Sequence, residues 1–235
     1  MYQISLPKIH KEGFLFIGIF FVIALIFMAI NDFLGYIGFI LTAWCAYFFR
    51  DPDRVVPQKE GLIVSPADGV VHAIVEDAET PEEMDLPKGK WTRVSIFLNV
   101  FNVHVNRVPV GGTITKSIYH PGKFLNASLD KASKDNERQS LVVETTDGKA
   151  KKGVKIGFTQ IAGLVARRIR CDIRESDVVT TGQRFGLIRF GSRCDIYLPS
   201  TMTPQVIKGQ KTIAGETIIA DMLDDKAKPI DGKII

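Results

Sequence analysis

Cysteine is scarce: the 235-residue chain carries three, at positions 45, 171 and 194. An odd count with no C-x-x-C spacing speaks against a disulfide framework and against a paired-thiolate metal site. Histidine is scarce too, at four residues: His10, His72, His104 and His120. None stands in an H-E-x-x-H or other close-ligand pattern, so no metal is expected. The chain has no P-loop and no strand–G-x-G-x-x-G–helix unit, which leaves nucleotide binding without support. It has no G-x-S-x-G elbow either, because Phe190-Gly191-Ser192-Arg193-Cys194 lacks the glycine after the serine. The formal charge of +4 is modest, and nucleic acid is not an expected partner. Basic clusters at 149–152 and 167–170 read either as solvated faces or as contacts to anionic lipid heads.

Charge is missing altogether from two long stretches. Residues 14–30, FLFIGIFFVIALIFMAI, and 33–49, FLGYIGFILTAWCAYFF, are uncharged and separated only by Asn31-Asp32. Each is at the short end of the roughly 17–25 residues that span a hydrocarbon core. A soluble core hairpin would show a polar stripe on each helix, and a signal peptide would end in a small-residue cleavage site. Neither is present. Lys8 and Lys11 precede the pair and Arg50 and Arg54 follow it, so the positive-inside rule places both ends on the cytoplasmic side. Residues 1–50 therefore read as a membrane-anchoring helical hairpin, spanning the bilayer or dipping into it, at the cell membrane.

Sustained helical periodicity is also lacking after residue 50, with 160–170, QIAGLVARRIR, the one competing stretch. What remains is a series of short runs rich in Val, Ile, Thr and Phe, bounded by glycine and other turn residues. They lie at 61–65, 69–76, 92–100, 106–118, 140–146, 154–162, 177–190, 193–198 and 217–221. The expected fold is mainly β (α+β): a compact β-rich body over 51–235 behind the hydrophobic hairpin. Segment 77–90, polar and proline-bearing, reads as a surface loop.

Four groups carry possible chemistry. In RFGSRCDIYLP (189–199) a bare Gly191-Ser192 separates two β-forming runs. Such a dipeptide is usually a turn. A hydroxyl beside glycine can also attack the preceding carbonyl and start an N-to-O acyl shift, since glycine tolerates strained backbone. Elimination from the ester would leave a dehydroalanine that hydrolyses to a pyruvoyl group. In Ser65-Pro66-Ala67-Asp68-Gly69 the Asp-Gly is a hairpin signal, or else Asp68 is a carboxylate placed at a strand end to orient or deprotonate a partner. In 101–109, FNVHVNRVP, alternation puts His104 on one face with Asn102 and Asn106. In Tyr119-His120-Pro121-Gly122 the Pro-Gly makes a turn. A group titrating near neutrality must come from His72, His104 or His120 if it is a histidine of the body.

Taken in order, SPADG at 65–69, NVHVNRVP at 102–109, YHPG at 119–122, IAG at 161–163 and RFGS at 189–192 followed by DIYLP at 195–199 resemble the phosphatidylserine decarboxylases, most closely the short bacterial proenzymes. The likeness runs from about residue 50 almost to the C-terminus. It implies self-cleavage between Gly191 and Ser192 into a large and a small chain, with Ser192 becoming a covalent pyruvoyl cofactor. That ketone would form a Schiff base with the serine headgroup of phosphatidylserine in the membrane, and carbon dioxide would leave to give phosphatidylethanolamine. The resemblance also implies roles for Asp68 in self-cleavage and for His104 as proton donor. Longer members carry a second histidine where this chain has Arg107. Arginine cannot act as a base at working pH, so either His104 serves both steps or His72 or His120 comes into reach. Arg107, with those two, then falls to substrate binding, where its fork could hold a phosphate or carboxylate. A homo-oligomer is left open. The competing reading is a non-catalytic lipoyl-like carrier or binding module on a membrane anchor.

Overall fold

The computed structural model describes residues 8–122, 135–146, 153–163, 168–189, 192–224, 227–228 and 230. In chain order the elements are β1 (Lys8–Ile9), α1 (Gly13–Ile30), α2 (Asp32–Phe48), β2 (Arg50–Asp51), β3 (Leu62–Val64), β4 (Gly69–Val75), a 3-10 turn (Glu82–Met84) and β5 (Trp91–Leu98). Then come β6 (Val105–Arg107), β7 (Gly112–His120), β8 (Arg138–Glu144), β9 (Lys155–Ala162), β10 (Ile169–Cys171) and β11 (Val178–Val179). The chain closes with β12 (Arg184–Ile188), β13 (Ser192–Pro199), β14 (Lys211–Thr212) and β15 (Ile218–Asp221). The β-rich body and the apolar helical hairpin are both as the sequence leads one to expect.

The hairpin turns within one residue because Asn31 caps α2: its side-chain oxygen accepts from the backbone N–H of Phe33 at 2.9 Å and of Leu34 at 3.3 Å. The helices approach through small residues. A Cβ on Gly38 would lie 2.7 Å from the Ala24 Cα, so glycine permits the contact, as at helix crossings in lipid. Outside that seam the apolar side chains point outward, with Phe14, Leu15, Ile30, Phe33 and Ile40 all well exposed. At 1.5 Å per residue α1 is about 27 Å long, and among the described helices it alone is long and apolar enough to cross a bilayer. The β1–β2 ladder, Lys8 opposite Asp51 and Ile9 opposite Arg50, brings both ends of the hairpin to one place on the body.

Eight strands form the large curled sheet in the order β11-β7-β8-β9-β13-β5-β4-β14. Two smaller sheets, β10-β12-β6 and β15-β3, complete the body. The main core joins them: Ile96, Phe158 and Ile196 come from the large sheet, Phe185 and Ile188 from β12, Ile63 from β3 and Ile219 from β15. Phe158 and Phe185 meet edge to face at 5.2 Å. The base of the hairpin makes a second cluster, in which Cys45, Phe48 and Phe49 pack on Val103, Val105 and Leu187. On the outer side of the large sheet, Tyr197 packs with Trp91, Val142 and with Met84 of the 3-10 turn, so the 77–90 segment covers that face.

Four expectations change. The Asp68-Gly69 step is not a hairpin: β3 pairs with β15 while β4 pairs with β5 and β14, so the chain turns there from one sheet to another. Gly69 is needed for close approach, since a Cβ would fall 2.2 Å from the Phe97 carbonyl oxygen. The stretch 160–170 is not helical where described: β9 runs through Ala162 and β10 begins at Ile169, and Ala162 and Ile169 pack on the main core. The 106–118 run divides at Pro109, and the 177–190 run divides between two sheets.

Candidate active site

Ser192 is the first residue of β13 and is held from both sides, opposite Leu98 of β5 and Ala162 of β9. It is fully buried, and its hydroxyl has no hydrogen-bond partner among the described residues. Such a buried, unpartnered donor is costly, which makes it a candidate for chemistry. The strands flanking the Gly-Ser break do not pair with each other. β12 lies in the three-stranded sheet and β13 near the middle of the eight-stranded one, so the break is a crossing between sheets. Gly191 lies outside the described residues.

His104 stands just before β6, and its carbonyl accepts from the Ile188 N–H at 3.4 Å. The ring is fully buried and lies 4.1 Å from that of Phe48, centroid to centroid. Its Nδ1 is 3.0 Å from the Asn102 carbonyl oxygen. A carbonyl only accepts, so Nδ1 carries the proton and Nε2 presents a lone pair; Nε2 has no partner among the described residues. Burial, reinforced by the charge on Arg50, pushes the pKa down to about 4 against the pull of the Asn102 hydrogen bond. At neutral pH the ring is an uncharged base.

This depressed value has a consequence for stability. The unfolded chain takes up the His104 proton as pH falls through about 6.5, while the folded chain refuses it until about 4. The histidine's stabilising term is therefore complete above pH 6.5 and lost toward pH 4, by roughly 3 kcal/mol at 1.36 kcal/mol per pH unit. Chemical unfolding in detergent at pH 7 and pH 4.5 should show a larger loss for the wild type than for His104→Gln. Equal losses would remove the claim.

Asp68 ends the segment between β3 and β4. Its Oδ2 pairs with Arg54 at 2.7 Å and its Oδ1 accepts from the Ala214 N–H at 2.8 Å. Burial raises its pKa, opposed by that N–H and by Arg54. Val70 pairs with Phe97, the neighbour of the Leu98 that faces Ser192. Asp68 and Ser192 thus belong to the same end of the sheet, two strands or about 10 Å apart. No hydrogen bond links Asp68 to His104, whose Nδ1 is taken by Asn102.

Arg107 lies against the same segment, its N–H donating to the Pro66 carbonyl at 2.9 Å. Its guanidinium is buried and donates to the carbonyls of Gly182 at 2.8 Å and Pro52 at 3.0 Å, with Asp51 at 3.8 Å. His72 is exposed at the β4 irregularity between Val71 and Ala73. His120 is exposed at the end of β7, three strands from β13 along the large sheet, or about 14 Å by usual strand spacing. Ser192 thus opens β13, His104 and Arg107 lie just before and within β6, and Asp68 lies just before β4, all next to places where the chain passes between sheets, while His72 and His120 are exposed. Among the described residues there is no metal-ligand cluster. Cys194, two residues beyond the serine, is no rival nucleophile: burial drives its thiol pKa far up, with Asp195 adding to the effect.

Several supporting residues gave no clear sequence signal. Arg54 reads from sequence as a membrane-flanking cation, yet it holds Asp68. Asn136, buried, donates to the Ala162 carbonyl at 2.7 Å, beside Ser192. Gln160 donates to Asn106 at 2.8 Å in a buried polar contact between β9 and β6. Glu12 bridges Arg170 and Arg189.

The family model for phosphatidylserine decarboxylase matches residues 41–220. A phosphatidylserine decarboxylase proenzyme of Cereibacter sphaeroides is 51% identical over 97% of this chain and 96% of its own length. Proteins of the same description from Rickettsia akari and Paramagnetospirillum magneticum are 56% and 54% identical, covering 91% and 94% of this chain and 90% and 91% of their own lengths.

Proposed function

This chain belongs to the phosphatidylserine decarboxylase family and is a decarboxylase, and we propose that it matures by cutting itself between Gly191 and Ser192 and then converts phosphatidylserine to phosphatidylethanolamine and carbon dioxide. The observation that carries this reading is the buried, unpartnered Ser192 hydroxyl at a crossing between two sheets. The neutral, unpartnered Nε2 of His104 at the edge of the neighbouring sheet supports it. The carrier-module alternative is not favoured, since the relatives are named as enzymes.

In the maturation step, Ser192 Oγ attacks the Gly191 carbonyl carbon while His104 Nε2 receives the hydroxyl proton. That proton passes to the Ser192 nitrogen as the C–N bond breaks, leaving an ester. Loss of the Ser192 Cα proton then expels the Gly191 carboxylate from Cβ. The resulting dehydroalanine tautomerises to an imine, and water replaces its nitrogen as ammonia, leaving a pyruvoyl group at the start of the small chain. That group supplies the carbonyl for the substrate amine and the electron sink for decarboxylation. In turnover His104 would take a proton from the ammonium group of the substrate and give it to the substrate carbon once carbon dioxide has left, with the Phe48 ring against its own. The strands on the two sides of the junction belong to different sheets, so the cut need not break a ladder that joins them.

Asp68, largely buried at the same sheet end and held by Arg54 and the Ala214 N–H, is assigned to the self-cleavage machinery as the family resemblance implies. Asp68→Asn should slow conversion of the full chain by about 100-fold, toward the low end of general acid–base effects. Denaturing electrophoresis over time reads this out, and normal cleavage in that variant removes Asp68 from the machinery. The hairpin places the enzyme in the membrane of its substrate. Both its ends return to the body through β1–β2, and the flanking Lys8, Lys11, Arg50 and Arg54 favour the cytoplasmic side. Denaturing mass analysis tests the whole reading. The wild type should give chains of residues 1–191 and 192–235, the smaller one reactive with hydrazines. A single intact chain from an active preparation would overturn it.

A further inference from the structure

Glu12 belongs to no motif of the family resemblance and lies far in sequence from the cleavage junction, yet it ties the two together. It immediately precedes α1, and its carboxylate is shared by the guanidinium groups of Arg170 on β10 and of Arg189. Arg189 also stands over the Phe16 ring of α1, 5.0 Å from its centroid. Both Glu12 and Arg189 side chains are only 19% exposed, so the pair is screened far less than a surface ion pair.

Arg189 follows the last residue of β12 and precedes the junction. Three Cα steps separate it from Ser192, a reach of no more than about 11 Å. On the downstream side, Ser192 is fixed by β5 and β9 together. The upstream side has weaker backbone support: the Ile188 and Arg189 N–H groups donate to the carbonyls of His104 and Arg168 over long distances, 3.4 Å each. The side chain of Arg189, held by Glu12 and Phe16, makes up that difference. The same hairpin base sets the other half of the site, because Phe48 lies against the His104 ring.

We propose that Glu12 is a positioning residue for self-cleavage: through Arg189 it fixes the upstream side of the Gly191–Ser192 junction, so that a chain matures efficiently only when its hairpin is docked on the body. The inference rests on the self-cleavage reading above. It gives the membrane hairpin a second task, since its correct seating becomes a condition for making the cofactor.

The full-length proenzyme, synthesised in a cell-free system with phospholipid vesicles, allows the conversion to be timed by denaturing electrophoresis. Glu12→Gln should slow it at least about tenfold, within the penalty for an ångström-scale misplacement, and Arg189→Ala should slow it comparably. Arg189→Lys keeps the charge and should recover most of the rate, which loss of packing alone would not allow. The double variant Glu12→Gln/Arg189→Ala should be no slower than the slower single one, as for two residues acting as a unit. Thermal midpoints measured alongside, matched to the wild type, separate positioning from misfolding, and Glu12→Asp provides a second, charge-preserving check. Cleavage of Glu12→Gln at the wild-type rate, or effects that multiply in the double variant, would overturn the proposal alone. A wild type that never cleaves would overturn the self-cleavage reading and this inference together.

Discussion

Ser192→Ala should remain a single 235-residue chain, with no hydrazine-reactive carbonyl and no decarboxylation above background. The expected effect is complete, because the variant removes both the nucleophile and the atoms from which the pyruvoyl group is built. A trivial explanation, loss of fold, is unusually easy to exclude here. The hydroxyl is buried without a partner among the described residues, so its removal deletes an unmet hydrogen-bonding group and none of the contacts described above. Replacing it should be neutral or stabilising, by up to about 1 kcal/mol. The thermal midpoint of the variant should therefore equal or exceed that of the uncut wild type. A variant that still cleaves would place the junction elsewhere. One that fails to cleave but is clearly destabilised would show that the hydroxyl has a structural partner.

The same geometry makes a statement about the products. After cleavage, residues 192–235 would keep β13 between β5 and β9, β14 on β4 and β15 on β3. A strand embedded in this way has ladder partners on both edges and its apolar residues, Ile196 and Leu198 among them, in the main core. Nothing in the cut itself removes those contacts. The two chains should stay together through native purification and separate only when unfolded.

The strands were legible from sequence because each short run is rich in β-branched residues and ends at glycine, proline or a polar turn. Their assignment to sheets was not. Both β3–β4 and β12–β13 read locally as hairpins, since local sequence reports a turn but not the distant strand that offers the better register. In both places the chain changes sheets, and both changes lie at the candidate site. The hairpin was legible from the near absence of charge, which leaves little choice of environment. Asp68, His104 and Ser192 could be named only through the family resemblance that their ordered motifs carry. Their surroundings could not: Phe48 comes to His104 from the hairpin, Arg54 comes to Asp68 from the linker, and Asn102 takes the histidine nitrogen that a carboxylate would otherwise hold. The first two are tertiary contacts between residues with no shared periodicity, and the third is a local bond across two residues whose geometry only the folded loop sets. Arg107 also looks different in place, since its donors are met by backbone carbonyls and it braces the Pro66 segment.

His104→Gln is the second variant from which a large effect is expected, and the two roles assigned to this ring can be separated. If Nε2 takes the Ser192 proton, conversion of the proenzyme should slow by about 100- to 10,000-fold, the usual range for a positioned acid–base group. Material that matures on long incubation can be normalised by its hydrazine-reactive carbonyl. Its turnover per carbonyl should fall by a similar factor if the same ring reprotonates the substrate carbon. A glutamine amide can occupy much of the space under Phe48 but cannot shuttle a proton, so the loss should be chemical and the substrate KM little changed. The smaller variant His104→Gly leaves a cavity beside Phe48, and added imidazole should restore part of the cleavage rate there. Rescue should grow with the fraction of neutral imidazole as pH rises, because the buried ring acts as an uncharged base before it receives the proton. Full turnover per carbonyl in His104→Gln would leave the ring a part in maturation only. Normal cleavage with lost turnover would leave it a part in decarboxylation only, and Ser192 would then need another base, for which Asp68 at the same end of the sheet would be the first candidate to test.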